Sequence, residues 1–472
     1  MNLHKNITGF VLLLALFFLN ACKVGKNYAR PTLELPDQYR NAPTSVDSSM
    51  GNIPWNEFFT DPTLQQLIDS AVTKNFDIQF AMKNIAAAQQ VMKQARLGYW
   101  PDINGQITIG TNRPSNNSLN GLNAGQFLGT RHIEDYTASI GIAWEADIWG
   151  KVSRQKEAAL SNYLQSTEVR KAIQTRLVAD VAQGFYNLLA LDAQLEIAKR
   201  NYILDDSTVR IIRLQYDAGQ ATALAIEQAD AQKMAAGLLI PALEQDIAIQ
   251  ENALRVLSGE LPSAVIRNIT ISEFHVNDIF STGVPAEMVS LRPDVRASEM
   301  SLKAANARVG IAQANMYPTL SITASGGVNS FKITNWFNIP ASLFGIAAGS
   351  LTQPIFQRRQ LKTQYELAKI ERDKSVILFR QSVLNAVGEV SDALIRVEKL
   401  REQREIATAR ADTLQNATPN ASLLFKNGMA NYLEVITAQA TALQSQLQVA
   451  DLKRQHLNSL VDLYRALGGG WR

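Results

Sequence analysis

Tyr136-Thr137-Ala138-Ser139-Ile140-Gly141-Ile142-Ala143-Trp144 alternates without interruption. In an extended chain Tyr136, Ala138, Ile140, Ile142 and Trp144 share one face, continued by Ala146 and Ile148. Thr137, Ser139, Gly141, Ala143, Glu145 and Asp147 share the other. Apolar–polar alternation over about ten residues is the signature of a strand that crosses a membrane in a barrel, though half-buried soluble hairpins alternate too. Just upstream, after Tyr99-Trp100-Pro101, Ile103, Gly105, Ile107 and Ile109 alternate with Asn104, Gln106, Thr108 and Gly110. An Asn- and Gly-rich stretch, 112–135, joins the two strands.

The same order returns in the second half. Asp77 recurs as Asp294, and Trp100-Pro101 as Tyr317-Pro318, 217 residues on. Ile148-Trp149-Gly150 is matched with Ile355-Phe356-Gln357, and Tyr216-Asp217-Ala218-Gly219 with Phe425-Lys426-Asn427-Gly428. A period of about half the chain means a duplicated unit. Leu320, Ile322, Ala324, Gly326 and Val328 oppose Thr319, Ser321, Thr323 and Ser325. The strand expected over 342–353 alternates less cleanly, because Leu343 and Leu351 oppose Phe344 and Ile346.

Around the strands the period changes to that of helices. One is expected from about Pro62 to Gly98, ended by Trp100-Pro101, since proline disfavours helical geometry in the residue before it. No proline occurs from Lys151 to Tyr216, enough for roughly 100 Å of rod. Leu177, Val181, Gly184, Leu188, Leu191, Leu195, Ala198 and Tyr202 keep a 4-3 spacing, the seam of a coiled coil. A second long helix is expected from about Arg358 to Thr418, with Val376, Phe379, Val383, Ala386, Val390, Ala393, Val397 and Leu400 as its seam. The last, about Asn431 to Leu467, carries Leu433, Ile436, Ala440, Leu443, Leu447, Ala450, Leu457, Val461 and Tyr464, interrupted by Arg454. Helices this long without caps mean coiled coil, membrane span or helical repeat, and their polar faces exclude the span. Between Ser258 and Pro285, a β-like run from Val265 to Ile271 marks a mixed insertion.

The N-terminus reads as an export leader. Lys5 precedes a short apolar stretch, Ile7 to Leu19, too short for a spanning helix. Leu19-Asn20-Ala21-Cys22 resembles a bacterial lipobox, with Cys22, the sole cysteine, as the acylated residue. Lys23 rather than Asp follows it, which points to the outer membrane. Four prolines between Lys23 and Pro54 suggest an extended tether. After the leader no run suits a membrane helix, so a membrane is crossed with strands or not at all. Net charge is +3, which argues against a nucleic-acid partner. The histidines are scattered and no phosphate loop or metal-ligand spacing occurs, so no cofactor and no enzyme activity is expected.

Four strands cannot close a barrel, and an open edge in lipid leaves backbone groups unsatisfied. Several copies must therefore share one barrel. The lipobox, the duplicated halves, Leu291-Arg292-Pro293-Asp294-Val295-Arg296, the two Gly turns and the terminal Leu467-Gly468-Gly469-Gly470-Trp471 together resemble the TolC/OprM-type outer membrane factors, in their NodT-like lipoprotein branch. The resemblance spans essentially the whole chain. It implies an internally duplicated α+β membrane protein: a homotrimer with a twelve-stranded transmembrane β-barrel, four strands per chain, continuous with a periplasmic α-helical barrel and a mixed equatorial domain. The segments expected are a leader 1–21, a lipidated tether 22–60, repeats 61–257 and 287–472, and an equatorial insertion 258–286. The function implied is passive exit duct of a tripartite efflux system, with a periplasmic adaptor, an inner-membrane transporter and outer-membrane lipid as partners. A type I secretion duct or a non-conducting envelope brace are the alternatives. The cargo stays open.

The same resemblance makes the two Gly turns the periplasmic gate and adaptor contact. Gly219, Thr222, Gly428, Asn431 and Glu434 are the candidate residues, with Cys22 for lipidation. Glycine is also the ordinary helix terminator, so both turns are helix caps in any case. Glu434 matches an acidic position after the second turn. After the first turn the comparable position is Ala225, with Glu227 two residues further, and Ala430 and Thr437 stand where relatives carry charge. Asp205-Asp206 reads as a helix-face acidic pair rather than a site.

Overall fold

The structure, a computed structural model, describes residues 24–40, 49–123, 126, 132–274, 285 and 291–472. The expected leader 1–21 and Cys22 lie outside the described residues, as do parts of the expected tether and equatorial insertion.

In chain order the main elements are α1 (Pro62–Lys74), α2 (Phe76–Leu97), β1 (Asp102–Asn112), β2 (Ile133–Glu145), α3 (Lys151–Asp217) and α4 (Ala223–Leu257). The second half follows with α5 (Pro293–Ala314), β3 (Thr319–Ser330), β4 (Leu343–Thr352), α6 (Gln360–Lys426) and α7 (Tyr432–Ala466). The duplication is metric. Helices α2 and α5 are both 22 residues, α3 and α6 both 67, and α4 and α7 both 35. Before the strands the halves are offset by 217, from Phe76 to Pro293. After them the offset is 209, from Lys151 to Gln360, because the β3–β4 connection is shorter. This corrects one expected landmark: Trp149-Gly150 corresponds to Arg358-Arg359, not to Phe356-Gln357. Gly150 and Arg359 share the same left-handed backbone, at φ 74° and 65°.

The residues fall into two compact units. The first holds 87–164 and 300–377 with the described N-terminal arm, 24–31. Its centre is one antiparallel sheet in the order β1-β2-β3-β4. The register builds straight rows: Ile103, Ile142, Ala324 and Ala347 lie side by side, and so do Ile107, Ala138, Val328 and Leu343. All are on one face. The other face carries Asn104, Gly141, Ser325 and Ile346 in one row, and Gln106, Ser139, Gly327 and Phe344 in the next. The uneven alternation of β4 is thereby resolved. Leu343 and Leu351 belong to the apolar face, while Phe344 and Ile346 stand on the polar one. Phe344 sits opposite Gly327.

Below the sheet, Trp149 donates to the carbonyl of Pro318 (2.7 Å) and stacks on Tyr317 at 4.8 Å. Asp147 caps α3 by accepting the N–H groups of Val152 (2.9 Å) and Ser153 (3.0 Å). The arm is pinned here as well. Val24 donates to Trp149 O (3.1 Å), and buried Arg154 donates to Gly25 O (2.9 Å) and Asn27 Oδ1 (3.0 Å).

The second unit holds 32–86, 165–299 and 378–472. Leu177, Val181 and Leu188 of α3 are buried as the seam requires, and so are Val178, Ala182, Phe185 and Leu189 beside them. The seam then departs from the expected spacing. Tyr202 is exposed, and after Ala198 the buried positions are Asn201, Asp205, Thr208, Val209 and Ile212. Two successive three-residue steps break the heptad here. In α7, Leu433 is likewise exposed, and Val435, Gln439 and Ala442 are buried in its place.

Three other expectations change. The helix expected from Pro62 to Gly98 is two, because the Asn75 side chain accepts the N–H groups of Asp77 (2.8 Å) and Ile78 (3.3 Å) and restarts the helix. Helix α6 continues through Pro419 to Lys426 instead of stopping at Thr418. The proline removes one hydrogen bond, while the turns beyond it pack half-buried Phe425 against a buried cluster. The run from Val265 forms no strand. Side chains hold it: Arg267 bonds Asp192 (2.8 Å) and Glu251, and Glu251 also accepts the N–H of Val265 (3.2 Å).

Gly327 shows how tightly β2 and β3 approach. A Cβ built there would lie 2.1 Å from Ala138 O and 2.6 Å from Ser139 Cα, and neither backbone atom can yield. Gly327→Val should therefore cost most of the folded protein in the outer-membrane fraction, read by immunoblot. Wild-type levels of folded protein would contradict this packing.

Candidate functional site

Both expected turns have the same construction. At the end of α3, Gly219 (φ 75°) donates to Tyr216 O (2.8 Å), and Gln220 donates to Gln215 O (2.7 Å). At the end of α6, Gly428 (φ 71°) donates to Phe425 O (3.0 Å), and Met429 donates to Leu424 O (2.8 Å). This pair of bonds is the Schellman motif, which needs a left-handed residue and so favours glycine. Three residues later each following helix is capped. Thr222 Oγ1 accepts from Ala225 N (3.3 Å), and Asn431 Oδ1 accepts from Glu434 N (3.1 Å). Gly219, Thr222, Gly428 and Asn431 thus share one job, to reverse a helix within four residues.

The two turns sit on a common floor. Val209 and Ile212 of α3 pack with Ala225, Ile226 and Ala229 of α4, with Phe425 of α6 and with Tyr432 and Ile436 of α7. Ion pairs flank it, Arg213 with Asp230 at 2.8 Å and Lys233 with Asp206 at 2.6 Å. Glu434 stands exposed in the first turn of α7, where the helix dipole favours a carboxylate. Ala225 is fully buried, so the first turn has an apolar contact where the second has an acid. Leu214, Leu224, Leu423 and Met429 are exposed around the turns.

One functional group escaped the sequence reading. Asp206 is bonded to Lys233 and Arg210, which hold it below the usual carboxylate range. Asp205 is a different case. It is 2 % exposed, and neither carboxylate oxygen has a hydrogen-bond partner among the described residues. Its neighbours on the helix face reach α7: Asn201 donates to Gln446 Oε1 (3.3 Å), and Gln439 donates to Thr208 Oγ1 (2.8 Å). Asp205 therefore lies in a polar stripe between α3 and α7. The segment 435–450 of α7 carries no charge, and neither does 413–425 of α6. On α4, Lys233 is engaged by Asp206 and Asp230 by Arg213. Burial without a counter-charge pushes the Asp205 carboxyl up to about 6. The signal was present in the sequence: stepping three residues from Ala198, not four, reaches Asn201, Asp205, Thr208 and Ile212.

Because the folded value lies above the unfolded one, Asp205 carries no charge penalty when protonated and destabilises once ionised. The loss sets in as pH rises from about 4 and is complete above about 6, at most about 3 kcal/mol. Asp205→Asn should raise stability over the wild type at pH 7.5 and leave it unchanged at pH 4, in denaturant melts at both pH values. Superimposable curves for the two proteins at pH 7.5 would contradict it.

Comparison with known proteins fits this geometry. The family model described as outer membrane efflux protein matches residues 67–260 and 284–469, one stretch for each half. Cation efflux system protein CusC of Escherichia coli O6:H1 (strain CFT073) is 27% identical over 464 residues, covering 96% of this chain and 97% of that protein. The probable outer membrane lipoprotein SilC of Salmonella typhimurium is 27% identical over 461 residues, 97% of each. A crystal structure of CusC superposes with a TM-score of 0.84 at 26% identity, over 95% of this chain and 100% of that one. With a duplicated sheet-and-helix architecture and a family match over both halves, the chain belongs to the outer membrane efflux protein family.

Proposed function

We propose that three copies of this chain form a passive exit duct through the outer membrane, the outermost part of a tripartite efflux system. The observation that carries this reading is the sheet. It has one continuous apolar face and one polar face, and β1 and β4 are its edges. In lipid an unpaired strand edge is untenable, so strands of neighbouring copies must complete the barrel, apolar face outward and polar face lining a channel. Long helices of equal length in both halves then extend the wall into the periplasm, where a periplasmic adaptor and an inner-membrane transporter complete the pathway.

The Gly turns are the gate in this reading. Three Glu434 carboxylates around one axis repel each other or hold a cation between them, and so set how far the closed aperture opens. Exposed Leu224, Leu423 and Met429 beside Gly219 and Gly428 offer apolar contact to the adaptor. Cys22 carries the lipid anchor. SilC is named as an outer membrane lipoprotein, and the lipobox ending at Cys22 supports the same anchor here. The segments 1–21, 22–60, 61–257, 258–286 and 287–472 serve as leader, tether, first repeat, equatorial insertion and second repeat. Cargo is chosen by the transporter, so drugs, metal ions and other small molecules remain open.

Glu434→Ala should raise single-channel conductance of the purified protein in planar bilayers. An unchanged conductance removes Glu434 from the gate, and no conductance from either protein leaves only an envelope brace. Cys22→Ser should abolish incorporation of labelled palmitate; retained label would place the anchor elsewhere.

A further inference from the structure

A pocket of about 450 Å³ opens between α3, α6, α7 and the short 3-10 turn Ile271–Glu273. All of its lining belongs to the second unit. Part of that lining is apolar: Ile197 of α3, Ile271 of the turn, and Val449 and Ala450 of α7. Small-molecule sites occupy about 300–1,000 Å³ and combine such surface with a few placed polar groups.

The charges of the pocket are unbalanced. Arg404 of α6 and Lys453 of α7 both line it. Burial, and then the nearby Arg404 guanidinium, hold the Lys453 ammonium below its usual value. Neither cation has an acid as partner among the described residues. Arg404 Nη1 lies 3.1 Å from Nδ1 of buried His456. A guanidinium can only donate, so the imidazole nitrogen accepts and brings no negative charge. Lys453 donates to the Ser272 carbonyl (2.8 Å). Nearby acids are committed elsewhere: Glu273 accepts the N–H of Thr270 (2.9 Å), and Asp451 is held by Arg454 (2.7 Å) and Gln455 (2.6 Å). Asp412, the acid in the lining, stands roughly 12 Å along α6 from Arg404. The third cation of the lining, Arg200, has Glu196 at 3.9 Å.

We propose that this pocket binds a small amphiphilic organic anion, its carboxylate, sulfonate or phosphate group between Arg404 and Lys453 and its apolar body against Ile197, Ile271, Val449 and Ala450. Arginine has five N–H donors and lysine three, and the bonds to His456 and Ser272 take one from each. Donors therefore remain for an acid group. An anion also relieves the repulsion between two half-buried cations, which a neutral ligand of the same shape does not. The frame is set before any ligand arrives, which keeps the cost of ordering low. His456 and the Ser272 carbonyl hold the two cations, and the turn that carries Ser272 is closed by the Thr270–Glu273 capping box and by Phe274, edge-on to Tyr186 at 5.1 Å. Arg404 lies roughly 33 Å along α6 from its last residue, Lys426, so this site is distinct from the Gly turns. It does not depend on the duct reading.

Saturation-transfer NMR on the full-length oligomer in nanodiscs of zwitterionic lipid tests the proposal. Naphthalenesulfonate is the probe, neutral naphthalenemethanol its control and empty nanodiscs the blank. The sulfonate should bind at least tenfold more tightly than the alcohol. Arg404→Gln combined with Lys453→Met should weaken the sulfonate at least tenfold and leave the alcohol unchanged. No binding of the sulfonate, equal binding of the two probes, or unchanged sulfonate binding by the double variant overturns the proposal. A local readout covers a double variant that fails to assemble. Thr408→Cys places a thiol in the pocket lining, and saturating sulfonate should slow its alkylation by a maleimide at least threefold, while the alcohol at the same concentration does not. An unchanged rate, or a thiol that never reacts because the pocket is covered in the oligomer, overturns the proposal as well.

Discussion

A β-strand edge cannot face lipid, and this sheet has two. Inside a bilayer core each unpaired backbone N–H or C=O costs several kcal/mol, and both β1 and β4 present a full strand of them. The sheet's own apolar face, with Ile103, Ile142, Ala324 and Ala347 in one row, is what suits it to lipid. The apolar face of the sheet, the need for further copies and the direction of the polar face all follow from satisfying that one condition. The glycines are part of the same solution. Gly327 lets β2 and β3 come closer than any side chain would permit.

The duplication supplies the second half of the argument. A ring made from three copies of a doubled unit approximates six-fold repetition, and such a ring works only if the two halves have equal reach. They do: paired helices of 22, 67 and 35 residues have no length mismatch. Equal reach lets both reversals, at Gly219 and Gly428, rest on one apolar floor. What the halves do not share is then where regulation can reside. Ala225 against Glu434, and the buried stripe around Asp205, are asymmetric by design of the sequence.

The strands, the long helices and both turns could be read from the chain because each has a local cause. Alternation is local, glycine at a left-handed position is local, and the absence of proline from 151 to 217 is local. Failures came where a partner decides. Asn75 breaks a helix by turning its side chain onto Asp77 and Ile78, and Pro419 fails to break one because Phe425 has somewhere to pack. The run from Val265 reads as β-like, yet Arg267, held by Asp192 and Glu251, fixes it without a ladder. Asp205 was hidden by one residue of helical phase. The roles of Gly219, Thr222, Gly428 and Asn431 as caps follow from geometry within a few residues. A gate requires several chains, which one sequence does not contain.

Native mass spectrometry of the lipidated protein, released from detergent or nanodiscs, tests the central claim most directly. The account predicts a dominant species of three chains, persisting as detergent is stripped until the barrel itself unfolds. A folded, membrane-inserted single chain would mean that a sheet with two open edges can live in lipid, and would contradict it.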